Sequence, residues 1–400
     1  MSIYERFGVE PLINLVGSWT AYGGALMEKE ALEAMNEAAN ESVCLEELQA
    51  TANKILAPIT HAEAAIVTAG AAAAMTLGTA ACIAGFDVAK MNRLPDTTGI
   101  PNEIIIPWPH ISAYNHAFRA AGARLVGVGM VSGFRPISEA YQVHKENIEA
   151  AINEKTVAIA YTSRRDSHPP LDDVTEVGRK YHIPVIVDAA AQVPPIENLH
   201  RFIDLGADLV CISGGKGIRG PQASGILCGR RDLVASAAIQ MLDIAGSFES
   251  WAPPASLIPK EKLTGRPERG IGRGMKVSKE AIIGLLVALE NLTEEKFTKR
   301  IGYLIKLLES IRARLDGIAG LEMELTDTKD YYPSLVIKID EQVVGKSAAE
   351  VSQELKDGKP CIYVGDMHLH LGIIRINSVN MDEEKTKIAS ERLYTVLTNK

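Results

Sequence analysis

The sequence predicts an α/β fold, with a large domain built on a mostly parallel sheet and a small α+β domain after it. Three observations carry this reading. Short Val/Ile-rich runs recur through the middle of the chain, stretches with helical apolar spacing separate them, and the character changes near residue 250. Runs that are apolar throughout are what a sheet covered on both faces requires.

The strands read, in order, as EIIIP (103–107), ARLVGVG (123–129), TVAIAYT (156–162), IPVIVDAA (183–190), ADLVCIS (207–213) and SGILCG (224–229). Between them HISAYNHAFRAAG, ENIEAAINEK and LDDVTEVGRKYH have the apolar spacing of helices, so strand, helix and strand alternate. From 251 to 276 the chain is rich in Pro, Gly and Arg and has no period, which reads as a long functional loop or a linker. Two amphipathic helices follow over 278–320, the first capped by Ser278 with Glu280 near its start. PSLVIKI, CIYVGD and IIRINSV around a helix at 347–357 complete a small α+β domain. The expected division is an N-terminal segment at 1–30, a large cofactor-binding α/β domain at 31–265, and a linker loop, interdomain helices and the small domain at 266–400.

At 400 residues with 46% hydrophobic and 23% charged content, the chain can bury a large core. Its formal net charge of −8 argues against general nucleic-acid binding, which needs a basic face for phosphates. Five cysteines are scattered without a CxxC pair, so neither a disulfide framework nor a metal site is suggested, and buried, reduced thiols are expected. The opening MSIYERFGVEPLINLVGS lacks the cationic start and apolar core of a signal peptide. The Ala-rich run at 64–85 is interrupted by Gly and Thr, so a cytoplasmic protein without membrane spans is expected.

Two strand ends gather the chemistry. VIVDAAAQ brings Asp188 to the end of one strand, and the next strand, DLVCIS, leads through Ser213-Gly214-Gly215 to Lys216, 28 residues on. In a parallel sheet both emerge at the carboxyl edge, where open α/β sheets bind their ligands. An acid and an amine so placed match the needs of pyridoxal phosphate, whose aldehyde is held by a lysine and whose ring nitrogen is kept protonated by a carboxylate. Burial favours the neutral, nucleophilic amine, and glycine lets backbone and cofactor approach closely. The plainer alternative is a solvated loop cation at Lys216 and a helix N-cap at Asp188. Upstream, VTAGAAAAMTLGTAAC is a strand-like lead-in, a Gly-Ala turn and a helix. Its first amides, at Gly70, Ala71 and Ala72, can hold a phosphate; an alanine-rich buried helix is the alternative. Turn, acid and lysine follow the order of a fold-type I pyridoxal-phosphate enzyme.

TAGAAAAM, VIVDAAAQVPP, CISGGKGIRGPQASGILCGR and GIGRGMKVSKEAIIGLLVALE together resemble the selenocysteine synthase-like (seryl-tRNA selenium transferase) superfamily, most of all its D-glucosaminate-6-phosphate ammonia-lyase branch. Similarity runs from INLVGSWTAYGGALM to GIIRINSV. The resemblance implies a fold-type I transferase, its large domain holding a mostly parallel seven-stranded sheet, plus a small C-terminal α+β domain. It implies that Lys216 binds the cofactor covalently, that Asp188 pairs with the pyridine nitrogen, and that Ser213 with Gly70, Ala71 and Ala72 meets the phosphate. His110 falls where such enzymes place a residue against the ring face, a helix-capping histidine being the alternative. Related small domains carry an arginine on a strand like IIRINSV to grip the substrate carboxylate, which points to Arg375; a structural ion pair is the alternative. Gln192 is either a partner for the cofactor's phenolic oxygen or a helix-facing polar residue. Arg266, Arg269, Arg273 and Lys276 form a cationic run suited to a phosphate, in this or a neighbouring subunit, or to solubility. Arg164, Arg165 and His168 are a second candidate anion grip, with Arg165 and Arg273 as candidate substrate contacts.

The implied activity is that of an ammonia-lyase on a 2-amino-3-hydroxy acid, an amino-sugar acid such as D-glucosaminate 6-phosphate. Lys216 removes the α-proton, the β-hydroxyl leaves as water, and the enamine hydrolyses to ammonia and a 2-oxo acid. Racemase, aminotransferase or carbon–sulfur lyase activity would use the same Lys216 and Asp188. Selenium transfer to seryl-tRNA shares the early elimination, but the known synthases carry an extra N-terminal tRNA-binding region, and the acidic balance speaks against tRNA. A homologue that binds cofactor without turnover is a further alternative. The resemblance also implies a homodimer or larger homo-oligomer.

Overall fold

Continuous Val/Ile runs become strands because both of their faces find apolar cover. In chain order the strands are β1 (Leu12–Leu15), β2 (Ala64–Thr68), β3 (Glu103–Pro107), β4 (Arg124–Val128), β5 (Met130–Val131), β6 (Tyr141–Gln142) and β7 (Thr156–Thr162). They continue with β8 (Val185–Asp188), β9 (Leu209–Ser213), β10 (Gly225–Gly229), β11 (Leu321–Leu325), β12 (Ser334–Ile339), β13 (Cys361–Val364) and β14 (Ile373–Asn377). The computed structural model describes residues 2–131, 141–164, 166–244, 246–326 and 332–399. They form two units, Met27–Glu290, and Met1–Leu26 with Asn291–Lys400.

In the larger unit seven strands make one sheet in the order β2-β10-β9-β8-β7-β3-β4. Only β10 opposes its neighbours, and the rest of the ladder is parallel, so the fold-type I expectation holds. Every residue of β2, β3, β8 and β10 is buried. Helix Ala71–Ala84 packs against this sheet and is itself apolar all round, which suits a helix covered on every side. Strands β2, β3, β7, β8 and β9 run the same way and end at one carboxyl edge. That common direction is what positions the site.

The smaller unit holds an antiparallel sheet β11-β12-β14 and a parallel pair β1-β13. Helices Glu294–Leu315, Ala348–Lys356 and Glu383–Thr398 belong to it, and its core includes Ile13, Leu15, Leu304, Leu308, Ile362 and Ile374. In β14 Ile374 and Ile376 are buried while Arg375 faces out, the period-2 alternation of a sheet with one wet face.

The division differs from the expected one at both ends. Residues 1–26 are not a free segment, because β1 pairs in parallel with β13 and its apolar side chains join the core of the smaller unit. The stretch 266–290 belongs to the larger unit, where the turn Ile271–Met275 packs against helices Ala71–Ala84 and Arg231–Met241. Ser278 caps helix Lys279–Asn291 as expected, its Oγ accepting from Ala281 N–H at 3.2 Å. No helix among the described residues is long and apolar enough to cross a membrane.

Candidate active site

Asp188 ends β8, in register with Thr162 of β7 on one side and Cys211 of β9 on the other. The side chain is buried, and its Oδ1 accepts from Ala190 N–H at 3.1 Å. The chain turns there instead of starting a helix, so the N-cap alternative does not apply. Burial pushes the Asp188 carboxyl up, against the Ala190 hydrogen bond and the positive fields of Lys216 and Arg164. Burial pushes the half-buried Lys216 amine down, and Asp188 opposes that shift. Each charge acts on the other, so the two groups share one site; in both, desolvation is the larger influence.

Lys216 stands in a run of turns over 214–218, with Arg219 N–H donating to the Lys216 carbonyl at 3.0 Å. A Cβ on Gly215 would lie 2.5 Å from Gln222 Cα, and one on Gly217 2.3 Å from the Val193 carbonyl oxygen. These glycines let the loop press against its own protein neighbours rather than make room for a cofactor. Gly225 does the same against the turn before helix Ala71–Ala84. It pairs with Ser213 and with Thr68, and a Cβ there would sit 2.6 Å from the Gly70 carbonyl carbon and 2.8 Å from Ala71 N. Gly70, Ala71 and Ser213 are therefore brought together at the start of helix Ala71–Ala84. No side chain caps that helix, Gly70 has φ 119°, and a Cβ on it would meet nothing within 4 Å. Ala72 is exposed in the same first turn. Unpaired amides next to open space suit an anion. Thr68, which sequence reasoning missed, fixes this turn by donating its hydroxyl to the Gly70 carbonyl at 3.0 Å.

His110 closes the turn after β3 and is 1% exposed. Its Nδ1 accepts from Thr162 N–H at 3.3 Å, its carbonyl accepts from Thr162 Oγ1 at 3.1 Å, and Tyr161 meets its ring edge-on with centroids 4.5 Å apart. Among the described residues Nε2 is buried without a hydrogen-bond partner. Since Nδ1 is an acceptor, the neutral ring carries its proton on Nε2. Burial first, then the Arg164 charge, pushes the His110 pKa down to about 4, with the His168 backbone offsetting part of this. The ordinary value of 6.5 applies in the unfolded chain, so the neutral ring contributes stability above pH 6.5 that is lost as pH falls toward 4. In cofactor-free protein, His110→Gln is expected to remove an acid-sensitive contribution of about 3 kcal/mol over that window. Urea unfolding at pH 7 and pH 4.5 checks this. Equal pH dependence in wild type and variant contradicts it. Thr162 and Tyr161 were legible only through their register with Asp188, since Thr162 is the residue paired with it.

Gln192 lies in the turn after Asp188, not on a helix, and donates Nε2 to the Ser163 carbonyl at 3.0 Å. Arg375 is exposed on β14 of the smaller unit, and among the described residues it has no carboxylate partner, so the structural ion pair is not formed. The cationic run finds receivers within the chain. Arg273 pairs with Asp243 at 3.1 Å and Arg269 at 3.5 Å, while Arg266 donates to the Ile244 carbonyl at 2.6 Å. Arg273 and Lys276 line a cavity of about 480 Å³ with Asp243, Lys279 and Glu280; neither Lys216 nor Asp188 lines it. Arg164 and His168 are exposed near the site, with the Arg164 charge felt at Asp188 and His110. Arg165 lies outside the described residues.

The aminotransferase class-V family model matches residues 127–365, more than half of the chain. The chain belongs to this family. The DegT/DnrJ/EryC1/StrS aminotransferase model also matches this class-V member over residues 29–199. A 5'-C-glycyluridine monooxygenase-decarboxylase of Streptomyces sp is 31% identical over 98% of this chain and 92% of its own. The D-glucosaminate-6-phosphate ammonia lyase of Salmonella typhimurium is 27% identical over 99% of this chain and 98% of its own. A solved D-glucosaminate-6-phosphate ammonia-lyase is similar with TM-score 0.79 and 25% identity, over 99% of this chain and 98% of that one. The kinship with selenium transferases holds too: the L-seryl-tRNA(Sec) enzyme of Mannheimia succiniciproducens is 25% identical over 81% of this chain and 66% of its own.

The class-V family cofactor is pyridoxal phosphate, and this chain's residues fit it. The open space beside Gly70, the uncapped amides at Ala71 and the buried carboxylate of Asp188 answer phosphate and pyridinium in turn. The protein is a pyridoxal-phosphate-dependent enzyme.

Proposed function

We propose that this protein is an ammonia-lyase that takes a 2-amino-3-hydroxy acid to ammonia and a 2-oxo acid, with an amino-sugar acid such as D-glucosaminate 6-phosphate as substrate. The observation that carries this reading is the similarity to D-glucosaminate-6-phosphate ammonia-lyase along nearly the whole of both chains. Bound pyridoxal phosphate supplies an electron sink for the pair left when the α-proton departs. Lys216 would hold the cofactor covalently and its amine would be the base for that proton; the lowering of its pKa by burial suits the task. Asp188 would keep the proton on the pyridine nitrogen, and His110 would offer its ring and its buried Nε2–H. Ser213, Gly70, Ala71 and Ala72 would hold the phosphate. The α-proton and the β-hydroxyl leave together as water, and one water then releases ammonia from the enamine, so the reaction needs no oxidant.

Arg375 is assigned to the substrate carboxylate. Charge-assisted hydrogen bonds contribute about 1.5–3 kcal/mol, so Arg375→Ala is expected to raise KM roughly tenfold to a hundredfold while kcat changes much less. An unchanged KM removes Arg375 from the site.

The test is to incubate the holoenzyme with D-glucosaminate 6-phosphate and measure ammonia and 2-oxo acid. Equal amounts of the two, without oxygen uptake, are expected. A second reading, oxygen-dependent decarboxylation, is favoured by the 31% identical Streptomyces relative. Oxygen uptake with carbon dioxide release would establish it, and amino-group transfer to a keto acid would make the protein an aminotransferase. A cytoplasmic homodimer or larger assembly completes the proposal, and light scattering in solution tests the assembly.

A further inference from the structure

We propose that His61, His200 and Asp204 form a binding site for a divalent transition-metal ion of the zinc class, on the side of the larger unit away from Lys216. His61 follows helix Leu45–Thr60, whereas His200 and Asp204 stand one helical turn apart and 143 residues separate His61 from Asp204. The fold brings one donor atom from each to within 4.8 Å of the other two. His61 Nδ1 is 2.9 Å from Asp204 Oδ1, and His200 Nδ1 is 2.7 Å from Oδ2. The two rings stack with centroids 4.1 Å apart and planes 22° apart, so both turn the same edge to one carboxylate.

Donor atoms about 2 Å from a zinc ion stand roughly 3.3 Å apart in a tetrahedron. The present nitrogen–oxygen separations, 2.9 and 2.7 Å, are roughly half an ångström shorter than that. The side chains are 52%, 34% and 46% exposed, so they can shift and water can complete the coordination. Each neutral imidazole moves its proton from Nδ1 to Nε2 and gives the Nδ1 lone pair to the metal. Two imidazoles with one carboxylate suit zinc, nickel or copper, whereas magnesium and calcium favour oxygen donors.

Position separates this site from the chemistry. His61 lies three residues before β2 and Asp204 five before β9, so the cluster is at the amino edge of the sheet. Lys216 follows the other end of β9, and five strand residues span roughly 17 Å. A bound ion therefore ties the end of helix Leu45–Thr60 to helix Arg201–Asp204 and acts on stability, not on turnover.

The test uses full-length, cofactor-loaded protein stripped with a chelator and titrated with Zn²⁺ in equilibrium dialysis, with Mg²⁺ as control. One zinc per chain is expected, bound at least roughly tenfold more weakly after His61→Ala or His200→Ala. Zinc should raise the Tm of the wild type and not of these variants. Asp204→Asn, which keeps shape and hydrogen-bonding capacity, should lose the same zinc-dependent shift. Zinc affinity and thermal shift equal in wild type and all three variants would overturn the proposal, as would failure of the wild type to bind zinc.

Discussion

Lys216→Ala is expected to lower kcat/KM by about 10⁴-fold or more, since general-base catalysis alone contributes up to that much and the covalent anchor is lost with it. That factor corresponds to about 5.5 kcal/mol in the barrier. The fold should not suffer. Burial disfavours the charged amine, and its removal takes a desolvated cation out of a loop whose shape is set by Gly215 against Gln222 and Gly217 against Val193. Steady-state kinetics on the lyase substrate read the loss, and thermal unfolding verifies that the variant is native. Retention of more than a hundredth of wild-type activity in a folded variant would remove Lys216 from the chemistry.

Asp188→Asn isolates charge from shape. The asparagine amide oxygen can still accept from Ala190 N–H, so the turn after β8 is kept. Without the carboxylate nothing holds the proton on the pyridine nitrogen, and a loss of about a thousandfold in kcat, roughly 4 kcal/mol, is expected. Stability of the cofactor-free chain should move the other way. The Asp188 pKa is raised in the folded state, so folding favours the protonated acid; that contribution is present below the unfolded value and lost as pH rises through the folded one. At neutral pH the charged form is a burden that Asn does not carry. Cofactor-free Asp188→Asn should therefore be at least as stable as wild type at pH 7 while nearly inactive. A variant that is both unstable and active would show Asp188 to be a structural residue.

Much of this arrangement was legible because its causes are local. Strands β3 and β7 through β10 are short, largely buried apolar runs, most of them rich in Val and Ile, and such runs stand out from their helical neighbours. Asp188 and Lys216 follow from them, since a strand end in a parallel sheet has only one edge to face. What escaped depends on partners remote in sequence. LINL at 12–15 is unremarkable until Cys361–Val364 lies beside it, almost 350 residues away. Arg273 looked free for a ligand because Asp243 sits thirty residues upstream, past a helix end. Arg375 looked costly between isoleucines, but alternation along β14 sends Ile374 and Ile376 inward and the arginine out. His110 owes its burial and tautomer to Thr162 and Tyr161 of another strand, which no spacing within its own segment announces.

The most direct measurement is borohydride reduction of the native holoenzyme followed by peptide mapping. Its visible absorbance band should disappear, and the reduced cofactor should be found on the peptide carrying Lys216 and nowhere else, with none on Lys216→Ala. Label on a different lysine, or no visible band at any cofactor concentration, would contradict the assignment of this carboxyl-edge pair as the active site.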